Sequence, residues 1–220
     1  MRIKELTLFT KNLEAQKQFH KSVFGVDFID DSTEHFSFLI GWTKLTFKQA
    51  TKLKVYHYCY LIPSNKLESS IQWLNGKVEL ITTDGSVIHD HGHWNAKAVY
   101  FYDGDGNIGE FIIRPDLDNA TEGEFSFSDI LCINEIGAPS NNSRKLNDFL
   151  EEKLGTTVWK GDLERFAVNG DLEGMFLLVN NTVKDKWYPT EIFPDAAPFD
   201  VQILNDGQLF DLRYDGEKFA

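Results

Sequence analysis

One carboxylate stands where strand chemistry makes it expensive. In residues 98–114, AVYFYDGDGNIGEFIIR, two apolar runs flank a turn of Asp, Gly and Asn, and Glu110 lies inside the second run. Such a turn between apolar runs predicts a hairpin. Strand alternation puts Phe111 and Ile113 on one face, with Glu110, Ile112 and Arg114 on the other. A Glu among such neighbours is costly to bury unless a metal, a cation or water receives it. Glu110 is therefore the first candidate, with Arg114 or a lysine as its purely structural partner in the alternative reading.

A second cluster, HDHGHW, carries His89, His91 and His93. An extended segment would put all three on one face, giving a metal site or an acid–base group; a solvated loop is the other reading. If the loop folds over a cleft, His91 or His93 is the expected proton carrier. Tyr100 and Tyr102 share the face opposite Val99 and Phe101, where they line a cleft or fill a sheet interface. Asp103-Gly-Asp105-Gly-Asn107 begins like a calcium loop, but Ile108 and Arg114 stand where that loop needs Gly and a bidentate Glu. A hairpin turn is the better account. The sequence has no Gly-rich phosphate loop, nucleophile elbow or paired-Cys zinc motif.

The elements that must hold these residues come in a repeated order. A strand over residues 3–10 precedes a helix from Leu13 that ends before Gly25, with Asn12 as its cap. Short strands over 26–30, 36–40 and 44–48 follow. The same order returns as a strand over 55–62, a helix over 65–74, and strands over 78–81, 98–102 and 108–114. The polar stretch 116–123 reads as a linker. A third unit then has a strand over 130–136, a helix from about Asn142 to Leu154, and strands over 157–160, 165–168 and 175–179. A final hairpin, 201–204 with 209–214, has no helix, so a fourth unit is incomplete.

Composition bounds the function. The chain has 220 residues and a formal charge of −12, and its Lys and Arg are too scattered to form a phosphate-binding stripe, which excludes nucleic acid and anionic membrane as expected partners. No window approaches the roughly 18 apolar residues of a membrane span. The opening MRIKELTLFTKN carries no secretion signal. Cys59 and Cys132 sit in apolar runs as small hydrophobes of a reducing compartment, so a cytoplasmic protein is expected.

Several motifs together resemble a known group. Glu5-Leu-Thr-Leu, Asn12-Leu-Glu, Phe19-His and Phe24-Gly25 resemble the opening unit of the vicinal oxygen chelate superfamily, which includes glyoxalase I, bleomycin-resistance proteins and extradiol dioxygenases. Tyr102-Asp-Gly-Asp-Gly-Asn-Ile-Gly-Glu110-Phe is similar to its closing hairpin. The resemblance covers residues 1–115 well and 125–180 loosely. It implies an α+β fold of repeated βαβββ units whose curved mixed sheets enclose a cleft. Residues 1–115 would be a complete two-unit domain, 116–124 a linker, and 125–220 a third unit with a C-terminal hairpin.

By position, the resemblance also implies a metal set of Glu5 and His57 on first strands and Glu110 on a last strand. Thr46 stands where glyoxalases tend to have Glu, and Glu5 where dioxygenases normally have His. One imidazole and two carboxylates suit a single divalent ion, Fe, Mn, Ni or Zn. The implied function is a metal-dependent enzyme of the glyoxalase or dioxygenase kind acting on a small molecule with adjacent oxygens. In it, His91, His93 and Tyr102 would be catalytic, while Arg114, Lys48 and Tyr100 would bind substrate. The alternative is a metal-free, antibiotic-sequestering protein that stacks a flat or cationic ligand on Tyr100, Tyr102, Trp42 or Trp94. A homo-oligomer is left open.

Overall fold

The computed structural model describes residues 1–52 and 54–220. Unit one is β1 (Arg2–Thr10), α1 (Leu13–Phe19) with a π turn over His20–Phe24, β2 (Asp30–Asp31), β3 (His35–Ile40) and β4 (Thr43–Gln49). Unit two is β5 (His57–Leu61), α2 (Leu67–Leu74), β6 (His89–His91), β7 (Ala96–Tyr102) and β8 (Ile108–Ile113). Unit three is β9 (Cys132–Ser140), α3 (Ser143–Leu154), β10 (Val158–Asp162), β11 (Phe166–Asp171) and β12 (Gly174–Asn180). β13 (Phe199–Asn205) and β14 (Gln208–Tyr214) form the closing hairpin without a helix.

Each of the three units closes in the same way, its first strand parallel to its last: β1 with β4, β5 with β8, β9 with β12. This is the α+β architecture of repeated βαβββ units with curved mixed sheets. Two of the expected strands differ. Residues 26–30 give only the short β2, and residues 78–81 give a single bridge, Leu80 to Phe101, because Val78 and Leu80 spend their apolar side chains on the core. The short third-from-last strand of unit two is instead the polar β6.

Unit pairing departs from the expectation of a cleft closed within residues 1–115. The eight-stranded sheet runs β10-β11-β12-β9-β5-β8-β7-β6, and the six-stranded sheet runs β14-β13-β1-β4-β3-β2. Unit two therefore joins unit three through β5 and β9, while unit one joins the closing hairpin through β1 and β13. Burial gives the physical reason. β5 and β9 are buried at every residue, so both of their faces must be covered, whereas β1 and β13 alternate between buried and partly open positions.

One apolar core joins the inner faces of both sheets to the helices, with Leu6, Phe38 and Phe47 from one sheet and Tyr60, Phe111 and Phe176 from the other. The outer face of the eight-stranded sheet has its own cluster, including Cys59, Tyr100, Ile112 and Leu177. Residues 181–198, which link β12 to β13, lay Trp187 and Ile192 on that cluster as a strap. No helix among the described residues is long and apolar enough to cross a membrane.

Candidate metal centre

Three neighbouring strands, β8, β5 and β9, build the site. Register sets Cys59 of β5 beside Glu110 of β8 on one side and Glu135 of β9 on the other. A register shift between Cys59 and Tyr60 lets Glu135 share the outer face with His57 and Glu110. The ligand atoms of His57, Glu110 and Glu135 all lie within 4.8 Å of one another. All three residues are buried, none more than 5% exposed.

Hydrogen bonds fix each member. His57 Nε2 and Glu110 Oε2 are 2.9 Å apart. Glu135 accepts from Nη2 of Arg114, whose Nε donates to Asn134 Oδ1 at 3.1 Å. Arg114 is fully buried behind Glu135. The Tyr100 hydroxyl is 2.9 Å from His91 Nε2, and its interaction with Glu110 favours the charged carboxylate. Trp187 covers the floor, its ring centroid 4.9 Å from that of His57.

The electrostatics separate the two carboxylates. Burial pushes Glu110 upward, but the hydrogen bond and charge of His57, with His91 and Tyr100, outweigh it and hold Glu110 below the ordinary carboxylate range. Burial and the neighbouring charge of Glu110 raise Glu135 to about 7, against the pull of Arg114. Burial lowers His91, so it is neutral near pH 7, and pushes the Cys59 thiol well up, so it is inert. Two acids forced together in this way repel, and a divalent cation between them relieves that repulsion. Nδ1 of His57 is buried without a hydrogen-bond partner among the described residues. Nitrogen and oxygen donors of this kind fit the borderline divalent ions.

A cavity of about 500 Å³ opens above this floor. Its walls are largely aromatic, with Trp94, Tyr100, Phe166, Trp187 and Tyr188. His91 lines it, and His93 sits exposed on a short 3-10 turn, Gly92–Trp94, at its edge.

Of the sequence candidates, His57, Glu110, His91, His93, Trp94 and Tyr100 line this cavity, whereas His89, buried and bonded to the Tyr188 hydroxyl and the Ile81 carbonyl, and the residues that follow do not. Glu5 lies on β1 in the six-stranded sheet, half exposed beside Lys44 at 3.7 Å, because β1 pairs with β13 and not with the site strands. Lys48 is exposed on β4 of that same sheet. Tyr102 is 43% exposed at the end of β7, outside the cavity lining. Arg114 is absent from the lining because Glu135 and Asn134 absorb its guanidinium. Trp42 packs under Arg2, away from the cavity. Thr46 is buried and bonded to Ser37 at 3.0 Å.

Sequence reasoning missed Glu135. Its signal was present: a carboxylate inside the apolar run Ile133, Asn134, Glu135, Ile136, the same anomaly that singled out Glu110. The strap was missed as well, since its Trp187 and Tyr188 lie in a polar, Pro-containing stretch.

No family model matches the chain, and no curated protein matches it in sequence. Solved structures do match it in fold. A Bacillus subtilis protein provisionally described as a dioxygenase aligns at a TM-score of 0.56 and 18% identity, over 82% of this chain and 64% of that one. A glyoxalase I variant from Zea mays aligns at a TM-score of 0.54 and 11% identity, over 80% of this chain and 67% of that one. The chain thus spans less than two thirds of the length of the Bacillus protein.

Proposed function

Because this chain has the vicinal oxygen chelate fold, we propose that it is a metal-dependent enzyme acting on a small molecule with two adjacent oxygens, its ion held by His57, Glu110 and Glu135. The convergence of one imidazole and two carboxylates, buried on three adjacent strands at the floor of a cavity, carries this reading. A divalent ion held there supplies Lewis acidity to substrate oxygens.

The remaining work falls to the chain's own groups. Arg114 holds Glu135 in place, and Glu135 lines the cavity. His91, neutral near pH 7, accepts a proton from substrate or passes one through the Tyr100 hydroxyl toward Glu110. Trp187 packs over His57 at the floor, and Tyr188 lines the cavity beside it.

Elemental analysis of protein purified without a His tag or chelator tests the reading, beside Glu110→Ala and Glu135→Ala. Near-stoichiometric divalent metal, lost in both variants while their circular dichroism is kept, is the expected result. Iron would direct assays to ring cleavage with dioxygen, and nickel or zinc to lyase or isomerase chemistry. No uptake by the unaltered protein, even after soaking in each ion, would overturn the proposal.

A further inference from the structure

The cavity is electrically lopsided. Its floor holds the two carboxylates, yet its outer lining includes Arg165 and Lys184. Neither cation forms an ion pair among the described residues. Glu164, adjacent to Arg165, is taken by Arg144 at 2.9 Å, and Asp162 accepts the backbone N–H of Arg165. Asp90, the acidic residue of the rim, faces Lys97 at 3.7 Å. The Lys184 ammonium donates only to the Lys186 carbonyl, and its lowered pKa reflects burial first and the charge of Arg165 second. Two cations therefore stand together, half withdrawn from water in the case of Lys184, in a chain whose net charge is −12.

Strand register measures how far Arg165 stands from the floor, while the Lys184 ammonium lies 6.0 Å from the centroid of the Trp187 ring. Glu135 is opposite Met175 on β12, and the Arg165 carbonyl accepts from Asn180 at the end of that strand. The interval is five residues of extended chain, about 16 Å along the backbone, which the long Arg side chain can shorten. Between the two ends the walls are flat. Trp94 and Phe166 stack with centroids 5.8 Å apart and planes at 20°, and Trp187 lies across the floor. An aromatic slot with acids at one end and cations at the other selects ligands by charge placement as well as by shape.

Resting on the function proposed above, we infer that the site takes an elongated, aromatic-bodied anion. Its adjacent oxygens meet His57, Glu110 and Glu135, its ring lies along the Trp94 and Phe166 wall, and its carboxylate or like anion meets Arg165 and Lys184. These two cations are specificity-determining residues that contact the far end of the substrate, remote from its reacting oxygens.

Isothermal titration of the zinc-loaded protein tests this, zinc being redox-inert toward catechols. The probes are dihydrocaffeate, dihydrocaffeamide, hydrocinnamate and hydrocinnamamide, so that charge and adjacent oxygens vary separately. Charge-assisted bonds to two cations should make dihydrocaffeate bind about tenfold or more tighter than its amide. In the Arg165→Gln, Lys184→Gln double variant that preference should fall to near unity. Equal binding of acid and amide, or a preference that survives in the double variant, overturns the inference. The two readings fail separately. Binding of both catechols without charge preference keeps the adjacent-oxygen reading and refutes the anion, whereas charge-selective binding of hydrocinnamate equal to dihydrocaffeate does the reverse. Binding of none of the four refutes both.

Discussion

Gly137→Ala is the sharpest probe of the strap. Gly137 lies on β9 opposite the start of β5, and a Cβ there would sit 2.7 Å from Cη2 and 2.8 Å from Cζ2 of Trp187. Carbon atoms in good contact stand about 3.5–4.0 Å apart, so the indole must retreat by roughly 1 Å. It cannot slide along the floor, because His57 is packed against it with a centroid distance of 4.9 Å and the His57 carbonyl would itself be 3.4 Å from the new methyl. The ring must lift, carrying a strap turn held by Trp187 N–H to the Ile192 carbonyl at 2.8 Å and Thr190 N–H to the Trp187 carbonyl at 2.7 Å. A partial lift costs about 1–3 kcal/mol, the usual range for overpacking. Full expulsion of the indole costs at most about 4–6 kcal/mol, from some 150–250 Å² of lost burial. For a chain of this size the smaller range lowers the melting temperature by about 3–10 °C. Calorimetry reads that fall, and acrylamide quenching reads the newly exposed indole, with Trp187→Phe identifying its contribution. Unchanged melting and unchanged quenching would refute the placement of Trp187 on the floor and, with it, this part of the cavity lining.

Two further outcomes follow from the other sheet. His20 is wholly buried among Phe24, Phe36, Phe38 and Phe47, with Nδ1 bonded to the Gln16 carbonyl and Nε2 unpartnered, and burial lowers it from 6.5 to about 4. The unfolded chain then binds the extra proton between those values, so the stability His20 contributes above pH 6.5 is lost as pH falls toward 4, about 2 kcal/mol of it by pH 5. Urea titrations at pH 7 and pH 5 should show that loss and show it removed in His20→Phe; an equal acid loss in the variant would refute the assignment. Glu5→Ala removes an exposed carboxylate 3.7 Å from Lys44, so stability should change by no more than about 0.5 kcal/mol. Its metal content should match that of the unaltered protein, and a loss of bound metal would return Glu5 to the ligand set.

Local order was legible in the sequence, and long-range pairing was not. The helix from Leu13, the hairpin around Asp103-Gly-Asp-Gly-Asn107, and the absence of a helix between β13 and β14 all rest on capping, turn chemistry and periodicity within a few residues. Which first strand pairs with which depends on edges far apart in the chain, 78 residues for Tyr58 with Ile136 and 195 for Leu6 with Val201. Its trace in the sequence is faint: HYCYL of β5 and CINEIGAPS of β9 are apolar or small on both faces, while RIKELTLFT of β1 alternates. Placing Glu5 in the site followed from pairing unit one with unit two. Once β5 pairs with β9, the same search for an isolated carboxylate in an apolar strand selects Glu135.

The contrast between the two sheets argues that the buried charges of the eight-stranded sheet serve more than folding. At the corresponding face of the six-stranded sheet, buried Ser37 and Thr46 satisfy each other and Glu5 meets Lys44 in water. That sheet stands without a buried ion at those positions. Glu110, Glu135 and Arg114, by contrast, are each withdrawn from water at a desolvation cost of several kcal/mol, and replacing such a set by apolar residues is often neutral or stabilising. Met175 and Leu177 on the adjacent β12 show that apolar side chains fill this face readily. The arrangement also crowds Glu135 against Glu110, which a purely structural ion network would have no reason to retain. Under the proposed function a second cation would complete the charge balance, at a floor that opens on the cavity.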